Sequence, residues 1–267
     1  MGRKDEERRQ RELEKRSQAF DSYYEAIYKD RWQTLKAALT KEKETVAFST
    51  GLTKAYMLDE ASIIAALSLP VAPGDRVLDM CAAPGGKSLV ILSRLSDGGL
   101  LVANDRSRER KIRLDRVLDE HLDQSRRALV QTSCRDASTW GLKEKEAYDA
   151  ILLDAPCSSE RHVIQSGQHL AMWSPSRPKR LAIEQYSLLA SAFMALRKGG
   201  HLLYSTCSVN PQEDEAVVAK LFTRQHGLVE EIMLDNPRAE KREHGYIIMP
   251  DSSGGLGPLY YCLLRKI

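Results

Sequence analysis

Short apolar runs alternate with amphipathic stretches along most of the chain. Residues 76–81 (RVLDMC), 100–105 (LLVAND), 128–133 and 148–155 (YDAILLDA), and then 201–208, are brief and rich in aliphatic side chains. Glycine, proline or acidic residues flank them, the pattern of strands buried on both faces. Between them the spacing turns helical. Ile112, Leu114, Val117, Leu118 and Leu122 form the apolar side of RSRERKIRLDRVLDEHL. Residues 59–69, 181–196 and 213–222 also read as helices, the first capped by Asp59 or Ser62. Residues 229–234 and 259–264 read as two closing strands, and 158–180 as a long polar segment. Strands alternating with helices predict an α/β fold, a mostly parallel seven-stranded sheet with helices on both faces. In such sheets ligands bind outside the carboxyl ends of the strands, near the point where strand order reverses.

The amino-terminal part has a different texture. Residues 1–18 mix both charge signs and predict a solvated helix. From Phe20 a stripe of Tyr23, Tyr24, Ile27, Tyr28, Trp32, Leu35 and Leu39 recurs at helical spacing. Packing onto the main domain is the expected use of such a stripe; base stacking, with Lys29, Arg31 and Lys36 nearby, is the alternative. With no internal repeat or low-complexity linker, residues 1–48 are assigned to a helical extension and 49–267 to one catalytic domain. No apolar run approaches 18 residues, and the first residues lack the apolar core of a signal peptide, so a cytoplasmic protein is expected and no membrane partner. A formal charge of +3 permits an acidic partner such as RNA without demanding one. The five cysteines form no CxxC pair, and no histidine cluster has metal-ligand spacing, so neither a metal nor a disulfide framework is expected.

The most informative stretch is RVLDMCAAPGGKSLV, residues 76–90. It reads as a buried strand, a turn of small residues and a helix start, whose free N–H groups make a polar lip at the strand end. A phosphate-binding G-x-x-x-x-G-K-[ST] loop fails here, because Cys81 stands where its first glycine is needed. The G-x-G-x-x-G fingerprint is absent as well. What remains is a small-residue turn followed, one strand later, by Asp105, an acid placed to bind ribose hydroxyls. That suits a nucleoside without a phosphate chain, such as S-adenosylmethionine.

Two thiols follow at later strand ends: Cys157 in LLDAPCSS and Cys207 in YSTCSVNP. Neighbouring strands would bring them to one pocket. Amino-group methyltransferases carry [DN]-P-P-[YFW] at the first position; a thiol where that class needs a ring argues against N-methylation. A thiol does suit carbon 5 of cytosine. Thiolate addition at carbon 6 loads electron density onto carbon 5, which then attacks a methyl sulfonium. Asp154 is placed to hold a proton at ring N3.

These motifs resemble those of the RsmB/RsmF (Sun/Fmu, NSUN-type) family of RNA cytosine-C5 methyltransferases. The matching residues are DMCAAPGGKS at 79–88, ANDRS at 103–107, Asp136 in SCRDAS, LLDAPCSS at 152–159 and YSTCSVNPQEDEAVV at 204–218. FDSYYEAIYKDRWQTLKAAL is similar to the start of short, organelle-type members. The resemblance implies a class I (Rossmann-like) methyltransferase fold, S-adenosylmethionine as cofactor and rRNA or tRNA as partner. It implies Cys207 as nucleophile and Cys157 as the thiol of product release. Cys81, Ala82, Ala83, Pro84, Gly85, Gly86, Lys87, Asp105, Arg110, Asp136 and Asp154 match or neighbour its cofactor-binding positions, with Lys87 and Asp154 also placed toward the base. A monomer is expected, without the NusB-like and PUA-like domains of larger members. Arg106, Arg108, Arg110, Lys111, Arg113, Arg126, Arg127, Arg161, Arg177, Lys179 and Arg180 are candidate phosphate contacts. Two other classes stay open at this point: a DNA cytosine-C5 methyltransferase attacking with Cys157, and a noncatalytic RNA-binding or ribosome-assembly protein.

Overall fold

The computed structural model describes residues 3–267. Helices α1 (Arg3–Tyr28) and α2 (Arg31–Thr40) lead into an antiparallel hairpin, β1 (Val46–Phe48) and β2 (Tyr56–Leu58), and then α3 (Glu60–Ser68). The alternating part follows: β3 (Arg76–Asp79), α4 (Gly86–Leu92), β4 (Leu100–Asn104), α5 (Arg108–His121), α6 (Gln124–Arg127), β5 (Val130–Ser133), α7 (Trp140–Lys143) and β6 (Tyr148–Asp154). Two short helices, α8 (Glu160–Gln165) and α9 (Gly167–Met172), precede the long α10 (Arg177–Ala195) and β7 (Leu196–Thr206). The chain closes with α11 (Glu215–Arg224), β8 (Val229–Glu231), β9 (Glu240–Lys241), β10 (Tyr246–Ile248) and β11 (Leu259–Lys266).

The main sheet has the order β5-β4-β3-β6-β7-β11-β10-β9, with β8 also on β11. The pairs from β5 through β7 are parallel, and β11 runs antiparallel to β7. Strand order reverses between β3 and β6, so the crevice for a ligand opens above their carboxyl ends. Nine strands stand where seven are expected. The difference is β9 and β10, at one edge: three-residue β8 and β10 take opposite ends of eight-residue β11, and β9 extends β10. The polar segment before α10 is likewise not loop throughout but holds α8 and α9. Helix α10 starts earlier than its apolar pattern does, because Pro178 is tolerated in a first turn where no N–H partner is needed.

Burial alternates along the strands as a doubly covered sheet requires. Ile151 and Leu153 of β6 face one core, with α10 and the amino-terminal helices; Ala150 and Leu152 face the other, with α3, α4 and α5. Phe20, Tyr24, Trp32, Leu35 and Leu39 are buried in the first of these cores. Tyr24 stacks on Trp32 at 5.0 Å, and Phe20 meets Trp173 edge-on at 5.0 Å. The aromatic stripe is therefore packing, not a free platform for bases. Among the described residues no helix is long and apolar enough to cross a membrane.

Candidate active site

The turn after β3 is built for close approach. Asp79, the last residue of β3, is buried and accepts a hydrogen bond from Ser88 Oγ at 2.6 Å, which ties the strand to the first turn of α4. Burial raises the Asp79 carboxyl to about 7, against the pull of Ser88. Gly85 has φ +121°, and a Cβ there would meet Leu114 at 3.1 Å and Val117 at 3.2 Å. At Gly86 a Cβ would stand 2.7 Å from Leu58 Cδ1, so the turn lies directly against the β1–β2 hairpin.

Two cavities flank this turn and share Cys81 as a wall. The larger, about 410 Å³, is lined by Cys81, Asp105, Arg110, Asp136 and Pro156, with Ile183 and Glu184 of α10 opposite. That volume falls in the usual range of about 300–1,000 Å³ for small-molecule sites. Asp105 is buried; its Oδ1 accepts from the Ser107 amide at 2.9 Å, and Arg110 Nε lies 3.2 Å from its Oδ2. Arg110 also donates to the Ala83 carbonyl at 2.7 Å, joining the two sides of the crevice. Asp136 accepts from the Ser138 amide at 2.9 Å, and that amide holds its carboxyl below the usual range. The smaller cavity, about 200 Å³, is lined by Lys43, Asp59, Asp79, Ala82, Ala83, Pro84, Gly86, Lys87 and Asp154. Asn104 joins the strand ends: its amide donates to the carbonyls of Met80 and Arg135, and its oxygen accepts from Ser133 and the Arg135 amide.

The two later motifs meet beside these cavities. Asp154 Oδ2 lies 2.7 Å from Lys87 Nζ, and its Oδ1 accepts from Ser205 Oγ at 2.9 Å. Burial works against the Lys87 charge, but Asp154 and the nearby Cys207 outweigh it and hold the ammonium above its ordinary range. Cys157 and Cys207 are both half-buried, with sulfurs 2.9 Å apart. That is well beyond the ~2.05 Å of a disulfide, so both remain thiols. Ser159, at φ +53°, lies 2.9 Å from the Cys207 sulfur and 3.4 Å from that of Cys157. Cys207 thus has two groups within reach that can donate to its sulfur, the Cys157 S–H and the Ser159 hydroxyl. The hydrogen bond from Cys157 holds the Cys207 thiol below the ordinary cysteine range, although burial opposes it. The same bond pushes Cys157 well up. Chemically this is one nucleophile-ready sulfur, a second protonated sulfur and a lysine-held carboxylate at one rim.

The structure brings together all the residues that the motifs single out, in two groups that meet at Cys81 and Asp154. Cys81 contributes a wall; burial pushes its own thiol far up. Cys262 is core in β11, and Cys134 is exposed just after β5, with its sulfur on the Arg106 carbonyl. Several basic candidates are committed elsewhere: Arg161 to the carbonyls of Lys41 and Gly257, Arg127 to Asp119, and Arg113 to Glu109. Sequence reasoning assigned no role to Asp79, Asn104 or Ser159. Only its place two residues after Cys157, inside LLDAPCSS, could have pointed to Ser159.

The profile described as 16S rRNA methyltransferase RsmB/F matches residues 66–265. The chain belongs to that family. The 5-cytosine rRNA methyltransferase NSUN4 of Bos taurus is 35% identical over 237 residues, 82% of this chain and 61% of that protein. The mitochondrial tRNA (cytosine(34)-C(5))-methyltransferase of Danio rerio is 34% identical over 240 residues, 84% of this chain and 64% of that protein. The chain therefore spans less than two thirds of the length of these relatives. A methyltransferase homolog protein from Pyrococcus horikoshii has the same fold, with TM-score 0.64 and 26% identity over 82% of this chain and 70% of that one. RsmB/F membership and the class I methyltransferase fold imply S-adenosylmethionine as cofactor, and the residues present fit it. Asp105 and Asp136 offer carboxylates in the larger cavity, the turn at 82–87 offers backbone without bulky side chains, and Asp79 Oδ1 has no hydrogen-bond partner in the smaller cavity. Among the described residues no cluster of His, Cys, Asp and Glu is placed to hold a metal ion.

Proposed function

We propose that the chain transfers a methyl group from S-adenosylmethionine to carbon 5 of a cytosine in rRNA or tRNA. Cys207 is the nucleophile and Cys157 aids release. The observation that carries this is the pair of half-buried thiols 2.9 Å apart, next to the wall of the cofactor cavities. The names of the bovine and zebrafish relatives support cytosine C5 as the target and RNA as the substrate.

When bound, S-adenosylmethionine supplies a methyl group on a sulfonium. The Cys207 thiolate adds to carbon 6, and the electrons of the 5,6 double bond make carbon 5 the attacking atom. The proton that Cys207 gives up on becoming a thiolate is passed by Asp154, steadied by Lys87 and Ser205, to N3, where it offsets the negative charge entering the ring; it returns to the sulfur when the adduct breaks. After methyl transfer the carbon 5 proton leaves to a base, the double bond re-forms and the Cys207–carbon 6 bond breaks. Cys157, donating to Cys207 before attack, is placed to assist that departure. The base must leave its stack for carbon 5 and carbon 6 to reach both sulfur and donor, which favours single-stranded or opened RNA.

Total RNA incubated with methyl-labelled S-adenosylmethionine tests this. Wild type is expected to label RNA; Cys207→Ser abolishes labelling; Cys157→Ser accumulates a protein–RNA adduct on denaturing gels. Loss of the adduct in Cys157→Ser alone would hand the attack to Cys157, as in DNA enzymes. RNA binding without labelling would leave a binding protein. Bisulfite sequencing of RNA from cells with and without the gene then locates the cytosine.

A further inference from the structure

Each proposed catalytic thiol is followed by a serine, Ser158 after Cys157 and Ser208 after Cys207. Both serines are buried, and both hydroxyls meet the same two carboxyl groups. Ser158 Oγ lies 2.7 Å from Glu160 Oε1 and is also in close contact with Glu213 Oε1. Ser208 Oγ lies 3.1 Å from Glu160 Oε1 and 3.4 Å from Glu213 Oε1. Glu160 and Glu213 are wholly buried, and neither lines a cofactor cavity. The other donors to Glu160 are Tyr24 at 2.6 Å and the Val209 amide at 3.0 Å; those to Glu213 are the Ser158 amide at 2.9 Å and Gln185 at 3.0 Å.

The donors do not balance the acceptors. Ser158 has one hydroxyl proton for two carboxyl contacts. If it donates to Glu160, its contact with Glu213 needs a proton on Glu213 itself. Two acids sharing one buried site keep a proton for the same reason: both cannot ionise cheaply side by side.

We infer that Glu160 and Glu213 form a proton-sharing pair that positions both thiols, tying the Cys157–Ser158 turn to the Cys207–Ser208 turn and so setting the distance between the sulfurs. The inference rests on the reading of those sulfurs as nucleophile and release group. Glu213 is pushed up to about 7 by burial and by Glu160. Above that pH a second charge appears behind the thiols. Among the described residues, the groups facing the pair are Tyr24 and Tyr28 from α1, Tyr204 from β7, Asp214 beside Glu213, and the two cysteines, none of them positively charged to offset it. Repulsion then loosens the tie and the sulfurs move apart.

Kinetics of Glu213→Ala and Glu213→Gln test this, together with direct alkylation of the thiols. Glu213→Ala is expected to lower kcat about 100-fold, the scale of a 1 Å misplacement, with the KM for S-adenosylmethionine little changed. Glu213→Gln keeps the shape of the protonated pair; it is expected to recover most of that loss and to lack the wild-type fall in kcat above pH 7. Iodoacetamide alkylation of Cys207, read by mass spectrometry without RNA or cofactor, reports placement independently of methyl transfer. Glu213→Ala is expected to move its pH midpoint up, because the Cys157 and Ser159 donors drift from the sulfur. Mere removal of a negative charge would move it down. A downward shift or none, or an alkaline fall in kcat that persists in Glu213→Gln, overturns the pair's role. Where Glu213→Ala does not fold, Glu160→Gln replaces it: it also removes the second charge and is expected to lose the alkaline fall, and keeping it overturns the inference. If wild type shows no methyl transfer, the proposed function fails and the alkylation arm still decides this one.

Discussion

Replacing Asp79 with asparagine probes the electrostatics under the turn between β3 and α4. Asp79 is 1% exposed and takes one hydrogen bond from Ser88, while its Oδ1 has no partner. Its carboxyl ionises near 3.8 in an unfolded chain and near 7 in the folded one, chiefly because burial disfavours the charge. Between those values the unfolded chain has lost a proton that the folded chain keeps. Stability therefore falls as pH rises from about 4 to about 7, by about 4 kcal/mol at 1.36 kcal/mol per pH unit. About 3 kcal/mol of that lies above pH 5. Asparagine does not ionise and escapes the loss, but its amide group takes the place of the unpartnered oxygen at a cost of about 1–3 kcal/mol at every pH. The variant is thus expected to be the less stable protein at low pH and to gain about 3 kcal/mol on wild type between pH 5 and pH 8. Urea unfolding of both proteins without ligand at pH 5, 6, 7 and 8 measures this. Glu213 and Asp214, also raised by burial, titrate in both proteins and cancel in the difference. Parallel stability curves over that range would refute the reasoning.

Two further substitutions test the packing that holds the site. Trp173→Ala removes a buried ring that meets Phe20 at 5.0 Å and Tyr23 at 5.5 Å, and is expected to cost about 3–5 kcal/mol in urea unfolding; a cost under about 1 kcal/mol would mean that it does not anchor α1. Gly86→Ala places a methyl 2.7 Å from Leu58 Cδ1 and 3.0 Å from Tyr56 Cε1, so overpacking of about 1–3 kcal/mol is expected, with weaker S-adenosylmethionine binding by calorimetry. An unchanged urea midpoint and affinity would show that the hairpin yields freely.

The parallel half of the sheet was legible because β3 to β7 are apolar runs bounded by glycine, proline and acids, a signal that burial on both faces enforces. Once those strands are parallel, Cys81, Asp105, Asp136, Asp154, Cys157 and Cys207 all fall at one rim. The closing edge was legible only in part: the runs at 229–234 and 259–264 became β8 and β11, while β9 and β10 were not seen. Strands of two or three residues such as β9 and β10 are too short to carry a period, and they owe their place to β11, which β10 joins and β9 extends. Helices α8 and α9 have six residues each, too few to show a periodic face in a polar segment. The Glu160–Glu213 pair was hidden for another reason. Glu213 sits in QEDE, which reads as a solvated acidic cluster, and its partners come from Ser158, Gln185 and Glu160, distant in the chain. Ser159 gave no sign that it would hold φ +53° between two sulfurs.

The amino-terminal helices touch the thiol turns through three phenols. Tyr24 donates to Glu160, Tyr28 to the Val209 carbonyl, and Tyr23 accepts from Asn210 at 3.1 Å. In the proposed reaction the segment is thus a backstop to the thiol turns rather than a handle for the donor. A segment transplanted in its place would have to bring matching hydroxyls to the same depth. Without them, the graft would keep its grip on the methyl donor and lose its turnover.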